Sequence, residues 1–161
     1  MKIVVPENSW SCILVAMSMV TGVSLGSLKQ YLGHDGSSQP YPNSDARHGF
    51  TIYEIIQVAY DLHWNVTPFQ FYPEMQHSAT TTPIKLFPNP ASEQDAIRRV
   101  LTYGNGIITG RRNTIGHAVA WVNGLVADPS GPATTYVYKF DGCAQHKFDA
   151  DIFWLFQKAV V

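Results

Sequence analysis

Charge is scarce in this chain. Asp, Glu, Lys and Arg make up 14% of its 161 residues, the formal net charge is −1, and no basic run or stripe occurs. That removes the electrostatic footprint by which nucleic acid or an anionic membrane surface is held as a main partner. Cysteine is rarer still, with Cys12 and Cys143 the only two. They can form at most one disulfide, which a domain of this size does not need, so both are read as thiols of a reducing, cytoplasmic setting. No segment approaches the ~20 consecutive apolar residues that span a bilayer. The first apolar stretch is interrupted by Pro6, Glu7 and Asn8, so it is not read as a cleaved signal peptide. Internal repeats and low-complexity linkers are absent as well. What is present is a folding composition, 45% hydrophobic and 12% aromatic, expected to build one domain over residues 1–161.

Helical signals come first. Asn8, Ser9 or Ser11 is placed to cap a helix running from Cys12 to Met19, and Gly22 to end it. Ser24 opens a short second helix, "LGSLKQYL". Thr51 and Glu54 have capping-box spacing ahead of "IYEIIQVAYDLHW", whose Ile52, Ile55, Ile56 and Ala59 line one face. "NVTPFQFY" then reads as a strand. Residues 73–90 hold four prolines and a Thr run, the composition of a long irregular loop. "SEQDAIRRVLTYG" restarts a helix with Ser92 as its cap. From Gly106 the pattern turns to strands: "GIITGRR", "HAVAWV", "LVADP" and "TTYVYKF". Helices followed by an antiparallel sheet make the expected class α+β.

Cys12 stands at the expected start of an apolar helix, "CILVAMSMV". A helix N-terminus lowers a thiol pKa through its unpaired N–H groups and dipole, and the same groups can donate to an oxyanion. A buried core thiol gives the same local pattern, so a base elsewhere must decide. It is found in "GHAVAWVNGLVADPSG". Asn123-Gly124 between two β-rich runs demands a two-residue type I′ turn, which pairs Val122 with Leu125 and sets Val119 opposite Asp128. His117 and Val119 share a face, so Asp128 lies on the His117 face one diagonal step away, about 7–8 Å between α-carbons. Cys12 as nucleophile, His117 as base and Asp128 as the acid that orients it complete a Cys–His–acid triad. Metal is the weaker reading. "CAQH" gives Cys143 and His146 a ligand-like spacing, but a structural zinc site needs about four ligands and no second pair occurs.

With these residues in hand, the chain resembles the papain-like cysteine peptidases, and most closely the small bacterial and phage proteins of the C39-like branch. The motifs that carry the resemblance are "SWSCILVAMSMV" and "GHAVAWVNGLVADPSG", with an auxiliary match in "LGHDGS" followed by "HGFTIYEII". The resemblance implies a helical lobe bearing the Cys packed on an antiparallel sheet bearing the His and the acid. It implies a thiol hydrolase that needs no cofactor and acts on a peptide or protein, with a Gly-rich tail suited to the narrow clefts of that branch. A thiol acyltransferase or deamidase on the same triad, and a peptidase scaffold kept for binding, are the alternatives. One departure stands out. The family places a Gln shortly upstream of the Cys to complete the oxyanion hole, and none lies between Met1 and Cys12. Asn8 is the nearest amide and takes that role by expectation. Trp10 and Trp121 flank the site, to hold substrate or to pack the core. Arg111 and Arg112 mark either a solvated strand end or an anchor for an acidic partner.

Overall fold

Gly22 ends the first helix as its sequence requires, in the left-handed conformation at φ 76°, with its N–H on the Ser18 carbonyl. The computed structural model describes residues 2–37, 49–71, 74–75, 84–85, 98–143 and 145–160. Helix α1 spans Cys12–Thr21 and is buried from Ile13 through Val20. Such a helix, apolar all round, must lie inside the fold. Helix α2, Leu25–Leu32, is capped by Ser24, whose side chain accepts from Ser27 N–H. Helix α3, Ile52–Asp61, starts with the full Thr51–Glu54 capping box. Its buried face is Ile55, Val58 and Ala59, rotated from the expected stripe so that Ile52 and Ile56 are only half-buried.

The strands are β1 (Trp64–Gln70), β2 (Glu74–Met75), β3 (Ile84–Lys85), β4 (Gly106–Arg112), β5 (Ile115–Val122), β6 (Leu125–Gly131), β7 (Thr134–Tyr138) and β8 (Phe148–Lys158). Six form one antiparallel sheet in the order β1-β8-β4-β5-β6-β7, and β2 pairs with β3 separately. The fold is therefore α+β. The β2–β3 ladder falls in the stretch expected as irregular loop, and the remainder of 73–90 lies outside the described residues. Of the helix expected from Ser92, residues 98–101 are helical and 92–97 lie outside the described residues. Strand β8 was not foreseen. It alternates buried Phe148 and Ala150 with exposed Asp149 and Asp151, then runs apolar where it enters the sheet between β1 and β4. Pro68 sits in β1, an edge strand, where a missing N–H costs no ladder bond.

The two faces of the sheet carry separate cores. Ile107, Ala118, Ala120, Val122 and Ala127 pack with α1 and α3. The alanines at 118, 120 and 127 leave room for the α1 backbone to approach closely. Ile108, Val119, Trp121, Val126, Phe148 and Phe153 form the core of the opposite face. The chain ahead of α1 is tied to the β6–β7 hairpin by two bonds. Ala133 N–H donates to the Pro6 carbonyl at 2.8 Å and Thr135 Oγ1 to the Val4 carbonyl at 2.7 Å. Among the described residues no single helix is long and apolar enough to cross a membrane, and α1 with α2 passes only as a pair bent by 116°.

Candidate active site

Cys12 is the first residue of α1 and is half-buried. Ser11 is the N-cap by position, yet its side chain makes no capping bond and turns back to the Asn8 carbonyl at 3.4 Å. The first intrahelical bond is Val15 N–H to the Ser11 carbonyl, so the N–H groups of Cys12, Ile13 and Leu14 precede the helical ladder. No acidic residue occupies the first turn. This helix start is thus open to an anion rather than closed by its own side chains.

His117 and Asp128 are brought together by the hairpin register. Asn123 and Gly124 adopt φ 53° and 80°, the positive pair that a type I′ turn needs. Val122 pairs with Leu125 and Ala120 with Ala127, so one further step sets Val119 opposite Asp128. His117 Nε2 meets Asp128 Oδ1 at 2.7 Å. The Phe148 ring packs edge-on against the imidazole, with centroids 5.7 Å apart. With Nε2 on the acid, Nδ1 is the ring nitrogen left for the thiol. Burial works against a charged imidazole here, but hydrogen bonding to Asp128 and to Cys12, and the charges of both, outweigh it and raise the His117 pKa to about 9.

Asp128 is fully buried and holds more than the histidine. Ser130 Oγ donates to Oδ1 at 3.1 Å and Tyr138 Oη to Oδ2 at 2.7 Å, while Arg112 Nη2 ion-pairs with Oδ2. Arg112 Nη1 also donates to Ser130 Oγ at 2.5 Å. Burial raises the carboxyl pKa, yet the bonds from His117 and Tyr138 and the charges of His117 and Arg112 hold it below the ordinary carboxylate range. A charge with no access to water is kept only because every oxygen is answered. Arg112 is therefore neither a solvated strand end nor an anchor for an outside partner. Burial and the adjacent Asp128 push the Tyr138 hydroxyl well above its usual range, so it stays a donor.

The remaining expected residues divide. Asn8 lies ahead of α1 with Oδ1 accepting from Trp10 N–H at 3.2 Å, a local turn and not a helix cap. Trp10 is half-buried two residues ahead of Cys12, and Gly49 (φ 114°) packs on its backbone, where a Cβ would come within 3.2 Å of the Trp10 carbonyl. Trp121 is corrected to core. It is buried on the sheet face opposite α1, donates Nε1–H to the Leu101 carbonyl at 2.9 Å and meets Phe140 edge-on. Distance along β5 explains the difference: Trp121 shares the His117 face but lies four residues further on, about 13 Å at the rise of a strand.

Cys143 is buried, and its surroundings push the thiol up to about 12, chiefly through desolvation and then the Asp128 charge. The His146 ring stacks on Tyr138 at 4.0 Å. Among the described residues no three His, Cys, Asp or Glu side chains are grouped to hold a metal ion. A cavity of about 1300 Å³ lies on the Trp121 face, lined in part by Phe140, Cys143, Phe148 and Lys139, and its lining includes none of the triad.

Arg112, Ser130 and Tyr138 were not expected at the site. The signal for Tyr138 and Ser130 was present in strand spacing, since both flank Asp128 across or along the β6–β7 hairpin. Arg112 comes from β4, and only the three-strand arrangement brings it to the acid. No family model matches the chain, and no curated protein matches it.

Proposed function

We propose that the chain is a papain-like cysteine peptidase or isopeptidase that cleaves an amide bond through Cys12. The observation that carries this reading is the bond between His117 and Asp128, with the Cys12 thiol at an uncapped helix start acting on the same imidazole. In the proposed reaction the Cys12 sulfur attacks the substrate carbonyl while its proton goes to His117. The N–H groups of the first α1 turn donate to the oxyanion. The C–N bond then breaks, His117 protonates the departing amine, and a thioester remains. Water attacks the thioester, gives a proton to His117 and releases the carboxylic acid, and the sulfur recovers its proton from the ring. The helix-then-sheet order of the chain supports a papain-like arrangement, and Gly-rich tails of peptide or protein substrates are the chemistry such a site suits.

A second reading, a peptidase scaffold kept for binding, is favoured by one observation: no Gln lies between Met1 and Cys12. Intact-mass measurement after a brief incubation with iodoacetamide near neutral pH separates the two. A hydrolase gives rapid single labelling that Cys12→Ala abolishes and His117→Ala slows strongly. Labelling of the native chain no faster than a free thiol peptide overturns the hydrolase reading.

A further inference from the structure

The Asp128 carboxylate is shared between two cations. Oδ1 takes His117 and Ser130, Oδ2 takes Arg112 and Tyr138, and Ser130 links back to Arg112 to close a ring. An orienting acid needs only its bond to the histidine to fix the ring. Placing an arginine on its other oxygen is costly in this setting. The Arg112 side chain is mostly buried, and its Nε is buried with no hydrogen-bond partner among the described residues. A guanidinium desolvated at that cost is held for its charge on Asp128.

The chemistry of the proposed reaction supplies the reason. A buried carboxylate facing His117 alone would stabilise the imidazolium so strongly that it would give up its proton to a departing amine slowly. We infer that Arg112 is a positioning residue of this site, which offsets the charge of Asp128 and so keeps the His117 imidazolium able to return its proton to the leaving group. This role rests on the hydrolase reading above, but the charge balance itself can be measured without turnover. The groups facing His117 are Cys12 from α1, Asp128 from β6 and the apolar Phe148 from β8, with Arg112 of β4 and Tyr138 of β7 acting through the acid. Asp149, beside Gly110 on β8, is exposed to solvent.

The test is an NMR titration of the His117 ring in the native chain, Arg112→Gln and Arg112→Lys, with thermal midpoints beside it. Removing the charge in Arg112→Gln should raise the His117 midpoint by about one pH unit, through loss of a nearby cation and a freer carboxylate. Arg112→Lys keeps the charge and loses the fork. It should lose stability while the His117 midpoint stays within about 0.3 pH unit of native. An unchanged midpoint in Arg112→Gln, or an equal rise in both variants, overturns the charge role. If Arg112→Gln does not fold, Arg112→Lys decides alone, and a rise of about one unit there overturns it. Iodoacetamide labelling of the native chain tests Cys12 separately, so failure of the hydrolase reading would be seen apart from failure of the charge balance.

Discussion

His117 and Asp128 bond at 2.7 Å although they do not face each other in the ladder, where His117 pairs with Gly110 on β4 and Ala127, beside Asp128, pairs with Ala120. The contact is diagonal across the hairpin, and it depends on the turn holding two residues. A one-residue slip would send Asp128 to the α1 face and leave Arg112 and His117 without their shared acceptor.

The pair gives the protein a signed pH dependence. His117 has a folded pKa of about 9 against an ordinary 6.5, so its contribution to stability is complete below about pH 6.5 and is lost as pH rises toward 9. Asp128 is shifted the other way, and its contribution is present above the ordinary carboxylate pKa and lost as acid protonates the folded group. Stability should therefore peak between the two windows. Urea midpoints at pH 6 and pH 9.5 should differ by on the order of 3 kcal/mol in unfolding free energy. His117→Gln should flatten the alkaline limb, and a native chain equally stable at both values contradicts the assignment.

Asp128→Asn carries a larger structural penalty than an orienting acid alone would suggest. Replacement leaves the mostly buried Arg112 guanidinium without its anion. Losing one member of a buried ion pair costs about 3–5 kcal/mol. Thermal or urea unfolding should show a loss in that range. Labelling of Cys12 in the folded fraction should fall less than in His117→Ala, because the ring can keep one bond to the new amide. A variant as stable as the native chain would mean that the Arg112–Asp128 pair contributes nothing.

Much of this was legible locally. Gly22, Ser24, the Thr51–Glu54 box and Asn123-Gly124 each act within a few residues, and each element begins or ends where its chemistry requires. The His117–Asp128 contact followed from strand parity and one turn. What escaped were relationships over long sequence separations. Strand β8 pairs with β1 and β4, far upstream, and no local signal encodes those partners. Arg112 read as a solvated end because a charged pair at a strand terminus usually is one, and its acceptor lies sixteen residues on in a different strand. Trp121 was placed at the site because it shares the His117 face, although four residues of strand carry it about 13 Å away, under Leu101 and Phe140.

Gly110 links the sheet to the site. It pairs with His117 on one side, and on the other β4 shifts register against β8 between Thr109 and Gly110. A Cβ at Gly110 would sit 2.0 Å from the Asp149 carbonyl oxygen, which is backbone and cannot rotate away. Gly110→Ala must therefore push β4 from β8 next to the imidazole. A loss of about 1–3 kcal/mol in urea unfolding is expected, with slower labelling of Cys12 by iodoacetamide. Native stability in that variant would show that the strands separate there without cost.

Asn8 is best tested by a substitution that divides its two ends. The Oδ1 atom accepts from Trp10 N–H, so Asn8→Ala removes both the turn bond and the amide donor, and its effects would be mixed. Asn8→Asp keeps an accepting oxygen for Trp10, while a carboxylate oxygen replaces the donating N–H₂ group. If that group donates to the oxyanion, turnover of an activated amide or ester substrate should fall on the order of 10²-fold, with the thermal midpoint little changed. The added negative charge near the first turn of α1 favours the helix, so a fall in turnover could not be ascribed to unfolding. Asn8→Ala should then lose about 1 kcal/mol of stability as well, the usual net value of one such bond. Full turnover in Asn8→Asp would remove Asn8 from the oxyanion site and leave that task to the backbone N–H groups at the start of α1.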